Sequence, residues 1–224
     1  MKFLVISDIH GNEEALDKLD PQFAQADAVL FAGDFTRFKH PETGLPVLEK
    51  LTSKHDTLFC VIGNCDEPDF ISRIEEKDCS VQKALVFHEG LAFIGSGGAT
   101  VFQNDTPNER TEEDIVSDLA LVTQAQQQDW SNLIMIIHNP PKDTKCDTVP
   151  GGFHVGSQMT TELIKKIQPL AVITGHIHES FAIDKIGNTT VINPGALLDG
   201  KYAWLEVEKA NGKWTVTRAE LQSL

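Results

Sequence analysis

Five short apolar runs, each closing on a side chain able to hold a proton or a cation, constrain this chain more than any other feature. They occupy residues 3–6, 28–32, 57–62, 133–137 and 170–174. At four to six residues, bounded by Gly, Pro or Asp, they have the length and unbroken hydrophobicity of strands buried on both faces. The segments between them show helical periodicity at residues 13–19, 46–52, 69–75, 112–128 and 157–167. Ser157 is a candidate N-cap of the last, and Pro169 stands just past its end. Three further pairs of runs flank turn residues: 81–88 and 91–95 around Glu89-Gly90, 181–186 and 189–192 around Gly187-Asn188, and 202–208 and 213–218 around Asn211-Gly212. Such pairs predict hairpins whose turns demand positive φ. A βαβα portion joined to antiparallel strands predicts an α/β sandwich of two sheets, laid out as one domain over residues 1–224.

Composition narrows the possible functions. Hydrophobic residues make up 41% of 224, enough to bury a sizeable core. Lys and Arg number 19 against 33 Asp and Glu, a formal charge of −14, which repels a nucleic-acid backbone and argues against a polymer of that kind as partner. The first apolar run stops at Asp8, short of a signal-peptide core, and no run approaches the roughly 20 residues of a membrane span. The four cysteines form no CxxC pair and have the pattern of reduced thiols, so the cytoplasm is the expected compartment. No heptad or apolar stripe indicates an oligomeric state.

The residues that close the buried runs carry the chemistry. The endings are Ser7-Asp8-Ile9-His10, Gly33-Asp34, Gly63-Asn64-Cys65-Asp66, His138-Asn139 and Gly175-His176-Ile177-His178. A lone Asp or His after a strand is commonly a cap or turn residue. Five in one chain would all fall at the carboxyl edge of a sheet, where α/β proteins hold ligands. Burying that many unpaired Asp and His side chains is costly unless a cation compensates them. Asp8, His10, Asp34, Asn64, His138, His176 and His178 form a mixed N/O donor set. It suits manganese first, or iron, zinc, nickel or cobalt, and argues against the all-oxygen sites of calcium and magnesium. Seven donors are too many for one such ion but fit two sharing a carboxylate. Two cations about 3.5–4 Å apart form a clamp for phosphoryl hydrolysis. A hydroxide shared by both would be the nucleophile, so no Ser or Cys nucleophile is required.

In that order, Asp-x-His, Gly-Asp, Gly-Asn-x-Asp, an isolated His and Gly-His-x-His resemble the calcineurin-like metallophosphoesterases, from Asp8 to His178. The closing Ile192-Asn193-Pro194-Gly195 is similar to the small bacterial and archaeal phosphodiesterase branch. The resemblance implies a four-layer αββα sandwich and a metal-dependent phosphodiesterase acting on a small-molecule diester. It assigns Asp8, His10, Asp34 and His178 to one metal and Asn64, His138 and His176 to the other, with Asp34 bridging. Most of the family has His where this chain has Cys65, and that His is thought to protonate the leaving group or hold the phosphate. A thiol of pKa about 8.5 is a poorer acid near neutrality than an imidazolium of about 6.5.

Cys65, Asp66 and His154 are the candidate catalytic groups beyond the metal ligands. Asp66 either orients its neighbour or caps the following helix. His154 is either a loop residue or a phosphate contact and substitute acid, and Arg37 is either exposed or a phosphate contact. Gly95-Ser96-Gly97-Gly98 lacks the Lys and spacing of a P-loop and predicts a tight bend beside the site. His40, His55 and His88 follow no motif. The competing functions are a catalytically weak metal-binding scaffold for protein interaction and a phosphomonoesterase. The complete donor set weighs against the first.

Overall fold

The computed structural model describes residues 1–125 and 129–224. In the first sheet the strands run in the order Lys213–Ser223, Lys201–Ala210, Lys2–Ile6, Ala28–Phe31, Leu58–Cys60. The last three are mutually parallel, and the two long C-terminal strands join antiparallel. The second sheet has the order Ala182–Ile186, Thr189–Asn193, Ala171–Ile173, Leu133–Ile137, Leu91–Ser96, Val86–His88. Its four central strands are parallel and its edge strands antiparallel.

Period-two alternation builds the layers. Phe3 and Val5 point into a core between the two sheets, where they meet Phe93, Ile134 and Ile173. Leu4 and Ile6 point the other way, onto Leu16, Leu48 and Leu51 of the helices Glu13–Asp17 and Gly44–Lys54. On the far side, Ile94, Met135 and Val172 pack against Ile115, Leu163 and Ile164. Both faces of both sheets are covered, which is why the central strands are apolar without a break. The result is the expected four-layer αββα sandwich.

The three hairpins form where the turn residues predict them. Glu89 and Gly90, and Asn211 and Gly212, have paired positive φ of 50° and 83°, and 53° and 82°. The first hairpin is shorter than its pattern: pairing starts at Val86, because the 80–82 stretch instead forms isolated bridges to Cys60 and Gly95. Ser157 caps the helix Gln158–Ile167 through a 3.1 Å bond from the Thr160 N–H.

The predicted 112–128 helix breaks in two, Glu112–Ser117 and Ala120–Gln124, and residues 126–128 lie outside the described residues. The break coincides with Asp118, whose buried carboxylate accepts two bonds from Arg110 at 2.6 and 3.0 Å and one from Ser96 Oγ at 2.9 Å. With Asp118 pinned and Leu119 off helical geometry, Ile115, Leu119 and Val122 all reach the core. Two small ladders absent from the sequence pattern, Ala99–Thr100 with Glu109–Arg110 and Thr148–Val149 with Phe153–His154, flank the strand ends. Among the described residues no helix is long and apolar enough to cross a membrane.

Candidate metal centre

The parallel strands of both sheets deliver their carboxyl ends to one seam. There the chain makes sharp turns: Asp8, His10, Asp34 and His176 have φ of 55°, 48°, 62° and 67°. Non-glycine residues in this region cost about 1–3 kcal/mol each and persist where the surroundings force them. The loops are interlocked by backbone bonds of Asp8 N–H to Gly33 C=O at 2.9 Å and Gly175 N–H to His138 C=O at 3.0 Å. The loops are also packed too closely for side chains at two motif glycines. A Cβ at Gly63 would collide with the Asp34 carboxylate, and one at Gly175 with Ser7 Oγ.

Asp34 sits at the middle of the donor set. Its Oδ2 lies 3.5 Å from His10 Nε2 and 3.5 Å from His138 Nε2, so a single carboxylate oxygen faces two imidazoles. On one side His10 Nε2 is 3.2 Å from His178 Nε2, and His178 is 3.3 Å from Asp8 Oδ1. On the other, His138 Nε2 is 2.8 Å from Asn64 Oδ1, and the His176 ring centroid is 5.4 Å from that of His138. The His176 N–H donates to both Asp8 oxygens at 3.2 Å. All seven predicted metal residues thus converge. Asp8, His10, Asp34, His138, His178 and Cys65 have donor atoms in three overlapping groups, the atoms of each within 4.8 Å of one another.

The tautomers decide what this arrangement can hold. His138 Nδ1 donates to the Ala32 C=O at 2.6 Å and His10 Nδ1 to the Thr36 C=O at 3.1 Å. In the neutral rings both Nε2 lone pairs then face the Asp34 carboxylate, and that of His138 also the Asn64 Oδ1, oxygens that cannot donate, a repulsive set unless a proton or a cation lies among them. Anchoring one ring nitrogen on a carbonyl to free the other is how imidazole ligands are oriented for metals. Without a cation the cluster competes for protons. Burial opposes ionisation of Asp34, yet His138 and His10 hold its carboxyl well below the usual carboxylate range. Burial likewise disfavours a charged His138, but Asp34 and then Asp8 push it up to about 9. His176, buried beside His138, is driven down to about 4. The donor set therefore fits divalent-cation binding, with the Asp34 carboxylate facing both halves.

The remaining candidates are placed differently. The Cys65 side chain is buried against Asp34, and burial followed by the Asp34 charge pushes its thiol pKa far up, which keeps it protonated. Its backbone N–H donates to Asp34 Oδ1 at 2.8 Å. Asp66 neither caps a helix nor faces the cluster. Its carboxylate accepts the N–H groups of Gly63 at 2.7 Å, Thr36 at 2.8 Å, Asp34 at 3.1 Å and Phe35 at 3.2 Å, clamping the two motif loops together. His154 is tied to Asp147 by a 2.7 Å bond, outside the donor clusters. Arg37 is exposed. Of the predicted 95–98 bend, Gly95 and Ser96 stay in the strand Leu91–Ser96 and only Gly97 and Gly98 leave it, the Gly98 N–H bonding the Ile62 C=O at 3.2 Å.

Two further residues position the site: Asn108, which no motif signalled, and Asn193 of the closing Ile192-Asn193-Pro194-Gly195 segment. Asn108 Nδ2 donates to the Gly63 C=O at 2.9 Å, and its N–H to the Asn64 C=O at 3.1 Å. Asn193 Nδ2 donates to the Ile177 C=O at 2.9 Å, fixing the His176–His178 turn. Two cavities adjoin the cluster. One of about 270 Å³ opens at Cys65, and one of about 510 Å³ opens at Asn64 and His176.

Comparison with known proteins agrees with this geometry. The family model of the calcineurin-like phosphoesterase superfamily domain matches residues 1–209. An uncharacterized Methanocaldococcus jannaschii protein, MJ1162, is 35% identical over 204 residues, covering 87% of this chain and 88% of its own. The crystal structure of TT1561 from Thermus thermophilus superposes with a TM-score of 0.74 at 20% identity, over 99% of this chain and 98% of that one. A structure described as a novel archaeal phosphodiesterase gives 0.55 at 17% identity, over 99% and 100%. The shared fold, together with the family match across nearly the whole chain and the relative's identity, establishes that this chain belongs to the calcineurin-like phosphoesterase superfamily.

Proposed function

We propose that this phosphoesterase is a phosphodiesterase that works with two divalent transition-metal ions, manganese the first choice, on a small-molecule diester. The observation that carries the reading is the single Asp34 oxygen lying 3.5 Å from imidazoles on either side, with a second carboxylate and an amide completing the two halves. Asp8, His10, Asp34 and His178 would hold one ion, and Asp34, Asn64, His138 and His176 the other. When bound, such ions supply Lewis-acid polarisation of the phosphoryl group and activation of water.

The chain's own residues do the rest. The carbonyls of Ala32 and Thr36 fix the imidazole tautomers, so the Nε2 atoms face inward before any substrate arrives. Asp66 and Asn108 hold the Asp34 and Asn64 loops at one spacing. The Cys65 thiol, lining the smaller cavity, would offer only a weak hydrogen-bond donor and puts no imidazolium at that position. A protein with this lining works best on diesters whose leaving group needs little protonation. The shared fold of an archaeal phosphodiesterase is compatible with the reading.

The test strips the protein of metal, restores Mn²⁺, and compares bis-p-nitrophenyl phosphate with p-nitrophenyl phosphate, using Asp34→Asn as control. Metal-dependent cleavage favouring the diester and lost in the variant is expected. Preference for the monoester would transfer the assignment to a phosphomonoesterase, and metal binding without turnover of either would favour a scaffold.

A further inference from the structure

The larger cavity beside the metal centre has a chemistry of its own. It reaches Asn64 and His176 at one end, so a phosphoryl group held at the donor cluster would direct one of its ester groups into it. Its apolar walls are Val101, Phe102, Val149, Val155 and Ile177, with Thr100, Gln103 and Thr106 as neutral polar neighbours. Phe102 is 82% exposed and Val101 51% exposed, large apolar side chains presented to solvent at a cavity mouth. Among the described residues that line it there is no Lys or Arg, whereas Asp105 and Glu109 are present. The smaller cavity contrasts with it in carrying Lys39 and His40. Asp105 and Thr106 line both, so the 102–106 segment is the wall between them.

That wall is preformed. The Glu109 carboxylate accepts the backbone N–H groups of Phe102 at 2.7 Å, Asp105 at 2.9 Å, Asn104 at 3.0 Å and Thr106 at 3.1 Å. Holding exposed apolar side chains on a fixed backbone lowers the entropy lost when a ligand packs against them. A volume of about 510 Å³ lies within the range of sites for organic ligands.

We infer that this cavity receives an apolar, aryl-sized ester group of the substrate and turns away esters bearing a second anion; the inference rests on the phosphoesterase reading above. It narrows the substrate class to phosphate esters of neutral, apolar alcohols, and sets polyphosphates and polynucleotides aside.

The experiment measures calorimetric affinities of Mn²⁺-loaded protein for 1-naphthylphosphonate, 4-carboxyphenylphosphonate and methylphosphonate, none of which can be hydrolysed at its C–P bond. Wild type should bind the naphthyl compound roughly tenfold or more tightly than the methyl one, and the carboxyphenyl compound no better than methyl. Val101→Asp and Phe102→Ala, both at exposed positions, should each shrink the naphthyl advantage to within about twofold. Equal binding of naphthyl and methyl compounds by wild type, or an undiminished advantage in both variants, would overturn the inference. Turnover of bis-p-nitrophenyl phosphate is measured on the same samples. Turnover without the naphthyl advantage defeats the cavity assignment and leaves the phosphodiesterase reading standing. The advantage without turnover supports the cavity and defeats that reading.

Discussion

Asp66 shows how a carboxylate can serve a metal centre without facing it. It is wholly buried and spends its oxygens on four backbone N–H groups from two loops, one carrying Asp34 and the other Gly63. Asp66→Ala leaves those donors buried without partners, and each such group costs about 1–3 kcal/mol. Partial relaxation should bring the net loss to about 3 kcal/mol in urea unfolding, with weakened Mn²⁺ binding alongside. A loss under about 1 kcal/mol would remove Asp66 from this role. The seven donors were legible because each ends an apolar run, and strand ends are where α/β sheets hold ligands. The function of Asp66 was not, since its partners lie 30 to 32 residues away for three of the four bonds and are main-chain groups that look alike in any sequence.

At the scale of elements, the 102–106 segment depends on Glu109. Burial alone would raise the Glu109 pKa, but the four N–H groups outweigh it and lower it from 4.5 to about 2. The sign follows: the stabilisation is complete above about pH 4.5 and is lost as pH falls toward about 2. Amide exchange of Phe102, Asn104, Asp105 and Thr106 should lose protection through that window ahead of the central strands, and Glu109→Gln should show reduced protection already at neutral pH. Equal protection of the variant at pH 7 would exclude the carboxylate as the organiser. The strand runs and NG-type turns were readable because period and turn chemistry are local. The split at Asp118 was not, because a helical pattern continues across it and only partners supplied from outside the helix, Arg110 and Ser96 among them, interrupt it.

For the molecule as a whole, the cluster of opposed acceptors at the seam makes stability responsive to cations. Metal that binds only the folded chain stabilises it by about 2.7 kcal/mol at a hundredfold excess over Kd. Thermal unfolding should therefore move upward with added Mn²⁺ and back with chelator, and the response should vanish in Asp34→Asn. A melting temperature indifferent to Mn²⁺ would contradict a centre of this kind.

By itself, the sequence determined the alternation of buried strands and helices, the hairpin turns and the identities of the side chains at the strand ends, because hydrophobic period, turn propensity and donor chemistry are written in neighbouring residues. The tertiary structure alone decided that the carboxyl edges of two separate sheets meet at one seam. The His138 ring from the second sheet bonds the Ala32 carbonyl of the first, and the His176 backbone bonds Asp8. Those contacts span 106 and 168 residues. No local preference encodes them: they follow from burying the apolar faces of both sheets against each other, which fixes the two edges side by side.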